Sequence, residues 1–305
     1  MDFGKLPNVE NVDFTLPPDP AQTAEILRGL PKRVGLPRVY IGCTGWSVKE
    51  WVGSIYPKGT KPIDYLKNYG KQFNSIELNT THYRTPSVFD TEKWKNDTPD
   101  DFRFAPKLLQ SISHERNLGL SNNLTQQFCQ AIEGLGDKLG VCFMQLPPHF
   151  SPQHLPILEQ FLRRFPEKIP LAIELRHYEW FNNKKNAENY LDVLHRFSKF
   201  AVITDVAGRR DVLHQFVTGK TAVIRFVGNG LHPTDYGRID AWVLRLKEWF
   251  SMGLHEVYFF THEPDSTDAP ILAKYLEDKI KENFEAILRG PRILDDNVEK
   301  QISLF

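Results

Sequence analysis

Leu171-Ala172-Ile173-Glu174-Leu175-Arg176 is a short, mostly apolar run that places both of its charges, Glu174 and Arg176, on one parity. Alternate side chains of a strand share a face, so Ile173 and Leu175 turn one way and the two charges the other. Seven further β-rich runs occur at 39–43, 75–79, 102–107, 141–146, 201–205, 222–227 and 256–261, which makes eight in all. The segments between them have helical spacing. Leu124, Phe128, Ile132 and Leu135 form one stripe, with capping side chains at 121–123. Trp242, Leu246, Trp249 and Phe250 form another behind Asp240, and Ile271 to Ile280 a third behind Asp268 and Pro270. Strands separated by helices imply right-handed crossovers and a parallel sheet. Eight such units with no edge-strand signature predict α/β architecture of one class, a single TIM-type (β/α)8 barrel with an N-terminal extension. A doubly wound open sheet is the alternative. The expected domains are an N-terminal arm at 1–38, rich in proline and laid over the outside, the barrel at 39–290, and a flexible C-terminal tail at 291–305.

The same parity argument locates polar groups. Glu77 and Asn79 share a face in run 75–79, and Arg103 and Lys107 oppose Phe102 and Phe104. Gln145, Asp205 and Arg225 extend the set, so six of the eight strands direct a polar or charged group inward, mostly late in the strand. One explanation is salt-bridged filling of the interior. Buried ion pairs stabilise a core poorly, however, and barrels place catalysis where their strands end, so the pattern favours a site. Arg103, Lys107, Arg176 and Arg225 against Glu77, Glu174 and Asp205 leave a slight positive excess, suited to a phosphate or carboxylate. Glu174 and Glu77 are candidates for proton transfer, since burial raises a carboxyl toward neutrality. Lys107, Arg176 and Arg225 would hold the anion, and Asp205 would orient one of them. Trp46 and Tyr83 are candidates for stacking on a ring. Glu77, Glu174, Asp205, His114 and His262 are candidate ligands for a divalent metal, although no HExxH or CxxC spacing accompanies them. No GxGxxG or Walker loop occurs, so no nucleotide cofactor motif is present.

Lys+Arg and Asp+Glu each total 38, a neutral balance that argues against a basic nucleic-acid coat while leaving room for a local site. No signal peptide or apolar run of membrane-spanning length is evident, so a cytoplasmic protein without membrane association is expected. Cys43, Cys129 and Cys142 are odd in number and set in apolar contexts, as for buried free thiols.

Several linked pieces resemble the family known as domain of unknown function 72, or YecE-like. They are residues 42–47 (GCTGWS), 51–57 (WVGSIYP), 73–83 (FNSIELNTTHY), Pro86, Trp94, Thr98-Pro99, Phe102, Phe104, Lys107, Ser113-His114, Glu174-Leu175-Arg176, Thr204-Asp205 and 225–228 (RFVG). The resemblance covers most of 39–262 and implies a TIM-type barrel with no established activity. His82, Pro106 and the run 261–265 (THEPD) depart from its pattern. The last of these replaces a run usually containing asparagines, so no role of those asparagines carries over.

Gln301-Ile302-Ser303-Leu304-Phe305 follows a polar stretch and resembles the short motif that docks bacterial replication and repair proteins on the DNA sliding clamp. Leu304 and Phe305 would fill an apolar pocket, with Gln301 at its rim; packing of the tail on its own domain is the alternative. Three functions stay open. The first is a hydrolase or lyase with carboxylate acid–base chemistry on a phosphate-bearing substrate, a nucleic acid fragment included, delivered by the clamp. The second is a metabolic enzyme for a small anionic or sugar-like molecule. The third is a binding module without turnover.

Overall fold

The computed structural model describes residues 4–294. Among the described residues nine strands alternate with helices: β1 (Arg38–Gly42), β2 (Ser75–Leu78), β3 (Arg103–Pro106), β4 (Cys142–Gln145), β5 (Leu171–Glu174), β6 (Phe200–Asp205), β7 (Thr221–Val227), β8 (Glu256–His262) and β9 (Ile287–Arg289). The architecture is α/β, with a parallel seven-stranded sheet in the order β4-β5-β6-β7-β8-β1-β9 and a parallel pair β2-β3. The pair is tied to the larger sheet on both sides. Toward β1, Glu77 N donates to Cys43 O (3.0 Å). Lower down, the Asn74 carboxamide accepts from Ile41 N (2.7 Å) and donates to Val39 O (2.9 Å), substituting for a strand's own peptide groups. Toward β4, Gly140 N donates to Phe104 O and Leu108 N to Phe143 O, each at 2.8 Å.

The strands carry apolar side chains on both faces, as parallel sheets covered by helices do. Ile41, Phe104, Ile173, Ile203 and Ile224 pack outward with the helices in the larger core. Tyr40, Ala105, Phe143, Ala172, Val202, Val223 and Tyr258 form a separate inner cluster. Strand alternation therefore sorts the two cores, and the same parity continued toward the strand ends sets which polar groups share the inner face.

The helices are α1 (Ala21–Gly29), α2 (Tyr65–Gln72), α3 (Val88–Asp97), α4 (Gln110–Ser113), α5 (Leu124–Glu133), α6 (Leu155–Arg164), α7 (Lys184–Arg196), α8 (Pro233–Met252) and α9 (Ala269–Asn283). Phe128 and Ile132 of the expected stripe in α5 are fully buried. The start expected at Asp240 lies inside α8, which begins earlier behind His232 with Pro233 in its first turn. Asp240 instead accepts from the Tyr275 hydroxyl (2.9 Å) of α9. Helix α8 stops at Gly253 (φ 127°), where a Cβ would lie 2.3 Å from Leu27 O. No described helix is long and apolar enough to cross a membrane.

The N-terminal arm runs along the exterior only in part. Asp19 binds Arg245 and accepts from Trp249 Nε1 (3.0 Å), and the Phe14 ring lies 4.9 Å from the Arg238 guanidinium. Residues 4–10 then turn over the C-terminal ends of the strands, anchored by Gly208 N donating to Gly4 O (2.9 Å).

Candidate functional site

Arg225, inward on β7, is the hub. Its Nε and Nη2 donate to the two oxygens of Glu77 on β2 (2.8 and 2.9 Å), and its Nη1 donates to Glu174 on β5 (2.7 Å). Arg176 Nε donates to the other oxygen of Glu174 (2.6 Å). Asn79 Nδ2 and His262 Nε2 complete the shell of Glu77, each at 2.9 Å. Lys107 Nζ donates to Gln145 Oε1 (3.0 Å) nearby. Glu77, Glu174, Arg176, Arg225, Lys107 and Gln145 are all buried. Residues distant in sequence thus converge at the ends of β2, β3, β4, β5, β7 and β8, where parity and position place them.

Burial by itself would raise the two carboxyls, but the charges around them outweigh it. Glu77 is held well below the usual carboxylate range by Arg225 and His262. Glu174 is held at about 2 by Arg176, Arg225 and Lys107. The expectation that these carboxyls move toward neutrality is therefore reversed: both are fixed anions. Burial pushes His262 down despite the pull of Glu77, to which its Nε2 is hydrogen-bonded. Burial, reinforced by Arg225, lowers Lys107 to about 8 against the pull of Glu77 and Glu174.

Five expected members lie elsewhere. Asp205 has the other parity and turns outward to α8, where Arg238 Nη2 and Trp242 Nε1 donate to it (2.7 Å each) and Arg210 pairs with it. Thr204 takes the inner place on β6. Arg103 is inward but stands at the start of β3, the opposite end from the charge cluster, and donates to Asp100 O (2.9 Å). Trp46 packs edge-on against Trp94 (6.0 Å) beside the outer core. Tyr83 is exposed beside a second hollow that it shares with His82 and His114. His114 is bonded to Ser113 Oγ (2.9 Å) there. Without Asp205 and Arg103, three cations and two carboxylates remain, and the excess positive charge persists.

The proposed metal set does not assemble. Asp205 and His114 are apart from Glu77 and Glu174, and the Arg225 guanidinium occupies the space between those two carboxylates. Among the described residues, no three His, Cys, Asp or Glu side chains stand together as a metal would require.

Above the cluster is a cavity of about 680 Å³, walled by Arg176, Thr204, Arg225, Gly228, Asn229, His232, His262, Glu263 and residues 4–10 of the arm. Glu263 is the member that sequence reasoning passed over. Its Oε2 accepts from Gly230 N (2.7 Å), while its Oε1 is buried with no hydrogen-bond partner among the described residues. Burial, with Asp235 nearby, raises it to about 7 against the backbone donors. Thr204 Oγ1, also on the cavity wall, is likewise buried and unpartnered. The Asp235 carboxylate fixes the loop between them, accepting from Asn229 N and Nδ2 (2.8 Å each). The signal that could have found Glu263 is its place directly after the inward His262.

A family model described as "Protein of unknown function DUF72" matches residues 40–295. The UPF0759 protein YecE of Escherichia coli (strain K12) is 29% identical over 285 residues, covering 88% of this chain and all of that protein. The UPF0759 protein YunF of Bacillus subtilis (strain 168) is 29% identical over 152 residues, 47% of this chain and 52% of that one. Among solved structures, a DUF72 family protein from Enterococcus faecalis V583 superposes with a TM-score of 0.66 at 18% identity, covering 84% of this chain and 100% of its own. With a family match that spans most of its length and includes every strand of the charge cluster, this chain belongs to the DUF72 family.

Proposed function

We propose that strands β1 to β8 close as a (β/α)8 barrel, with the cavity as its mouth, and that the protein is an enzyme acting on a small anionic molecule there. The ties from β1 to β2 and from β3 to β4 support closure. The observation that carries the functional reading is the buried Glu77–Arg225–Glu174–Arg176 lattice beneath the cavity. Such a lattice is a poor way to stabilise a core, because desolvation offsets the attraction. As a preorganised floor it is effective: every carboxylate oxygen is engaged and the guanidinium planes are locked. The cavity volume falls within the roughly 300–1,000 Å³ of small-molecule sites. Glu263, near neutrality on the wall, is the acid–base group, and His262, Thr204 and Asn229 orient the ligand. Buried thiols at Cys43, Cys129 and Cys142 support a cytoplasmic setting.

Thermal denaturation with inorganic phosphate, a sugar phosphate, a 2-oxo acid and a neutral sugar tests the reading. An anion at a hundred times its dissociation constant adds about 2.7 kcal/mol. With 305 residues at about 2.1 cal/mol/K each, that raises the midpoint by about 4 °C. The reading fails if the neutral sugar matches the anions, or if Arg176→Gln leaves the anion shift unchanged.

A second reading rests on Gln301, Leu304 and Phe305, which lie outside the described residues. We propose that this pentapeptide docks on the DNA sliding clamp, which would raise the local concentration of the barrel on DNA without a basic surface. Immobilised clamp should capture the full chain and release it when residues 301–305 are removed; equal capture of both forms refutes it.

A further inference from the structure

Three lysines of the described residues are almost withdrawn from solvent: Lys107, Lys138 and Lys199. Two have evident structural reasons. Lys138 Nζ donates to the carbonyls of Lys95 and Thr98 (2.6 and 2.5 Å), with Asp100 at 3.8 Å. Lys199 Nζ reaches three carbonyls, those of Pro166, Glu167 and Ile169 (3.5, 3.4 and 3.2 Å). Each precedes its strand, at the end opposite the cavity, and ties a loop to it.

Lys107 is placed otherwise. It follows β3 directly, at the same end as Arg225 and Arg176, both of which line the cavity. Its amine has one polar partner, the neutral Gln145 oxygen at 3.0 Å, and no carboxylate within ion-pair distance among the described residues. The Phe143 ring lies 5.8 Å from it. A charged ammonium gains little in this setting. Desolvation and flanking cations are the two devices by which proteins convert lysine from a point charge into a nucleophile. The consequence is the fall of Lys107 to about 8. At neutral pH that gives roughly two hundred times more free amine than an ordinary lysine of pKa about 10.4.

We propose that Lys107 forms an imine with the natural ligand, which is therefore an anionic aldehyde or ketone; this rests on the reading of the cavity as an anion site. The Nζ lone pair attacks the carbonyl carbon, a proton passes from nitrogen to oxygen to give a carbinolamine, and water leaves as the C=N bond forms. The amine and carbonyl supply every atom, and no oxidant or reductant enters. Taking up one proton from water, the imine then draws electrons from the adjacent carbon, so a C–H bond there can break, its proton passing to water and its electron pair flowing into the C=N to leave a neutral enamine; a C–C bond to a hydroxyl-bearing carbon can break likewise, that carbon leaving as a carbonyl once its hydroxyl proton passes to water. That is lyase or isomerase chemistry on a 2-oxo acid or a keto- or aldo-sugar phosphate, and the lattice of Glu77, Arg225 and Glu174 beneath would bear the charge that develops.

The full chain is incubated with pyruvate or glyceraldehyde 3-phosphate and sodium cyanoborohydride at pH 7, and adducts are located by peptide mass spectrometry. The midpoint shift with inorganic phosphate is measured in parallel. Lys107 should be modified roughly tenfold faster than any exposed lysine. Phosphate, a non-carbonyl anion, should slow this labelling without reacting. Lys107→Arg should lose the adduct. Modification spread over exposed lysines with Lys107 untouched, while phosphate still shifts the midpoint, overturns the imine and leaves the anion site standing. Absence of both the adduct and the phosphate shift overturns both.

Discussion

Replacing Arg225 with methionine removes the one side chain that serves both Glu77 and Glu174, and its consequences can be worked through. The methionine approximates the buried stem but leaves two buried carboxylates with reduced compensation: Glu77 keeps Asn79 and His262, and Glu174 keeps Arg176. Breaking a buried pair by deleting one partner costs about 3–5 kcal/mol. With an unfolding entropy near 0.64 kcal/mol/K for 305 residues, the midpoint should fall by about 5–8 °C at pH 7.5. The pH dependence is more diagnostic. Glu77 and Glu174 have folded pKa values below their unfolded ones, so in the wild type their contribution is present above the unfolded range and lost as pH falls through the folded values, about 2 for Glu174. In Arg225→Met, burial acts on these carboxyls with less opposition, and they take up protons at higher pH. The deficit relative to wild type should therefore shrink between pH 7.5 and 5. Urea denaturation across that range measures it. A loss below about 1 kcal/mol, or a deficit that does not change with pH, would mean that the lattice does not hold these carboxylates as fixed anions.

Two other perturbations test the wall of the cavity. Glu263 has a folded pKa raised to about 7, so its contribution is full below the unfolded range and is lost as pH rises through about 7; Glu263→Gln should flatten the fall in stability over that interval and exceed wild type at pH 8, and a variant that parallels wild type at every pH removes Glu263 as the near-neutral group. Gly228→Ala puts a Cβ 2.1 Å from Glu263 Oε1 and 2.9 Å from Leu272 Cδ1, which should cost about 1–3 kcal/mol in chemical denaturation. Because the clash is mainly with Glu263, Gly228→Ala combined with Glu263→Ala should cost less than the two separate losses together, and strict additivity would show that the close approach is not what restricts position 228.

Much of this site was legible because strand parity is a local property. Glu77, Gln145, Glu174, Arg176, Lys107 and Arg225 each stand among outward-facing aliphatic or aromatic neighbours, so their inward direction follows from adjacent residues alone. The run 201–205 offers no such contrast. Val202 and Thr204 on one parity and Ile203 and Asp205 on the other are equally mixed, and the outward place of Asp205 is decided by Arg238 and Trp242, which lie 33 and 37 residues away. The passage of residues 4–10 over the strand ends was not legible, since it depends on the Gly4–Gly208 approach. Sequence places a residue on a face when its neighbours disagree with it, and cannot when they do not.

Charge state is a separate matter, since its sign depends on partners rather than on parity. A carboxyl at the end of an inward strand is expected to drift upward because it leaves water. Glu77 and Glu174 do leave water, yet Arg225 reaches them from 148 and 51 residues away and holds them ionised. Glu263 is less deeply set, but the donors it meets are backbone N–H groups and the nearby charges acting on it are carboxylates, so it is the one that rises. On the function proposed above, the acid–base role expected of the two strand carboxylates passes to a residue just beyond a strand. The strand carboxylates act instead as counter-ions that fix two guanidinium groups, while burial, reinforced by those guanidinium groups, lowers Lys107. The same charges thus act in opposite directions: Arg225 and Arg176 hold the carboxylates charged, and Arg225 adds to burial in pushing the neighbouring lysine toward neutrality. A site in which each ionisable group is held in the state its role requires is what distinguishes preorganised chemistry from ion pairs that merely fill space.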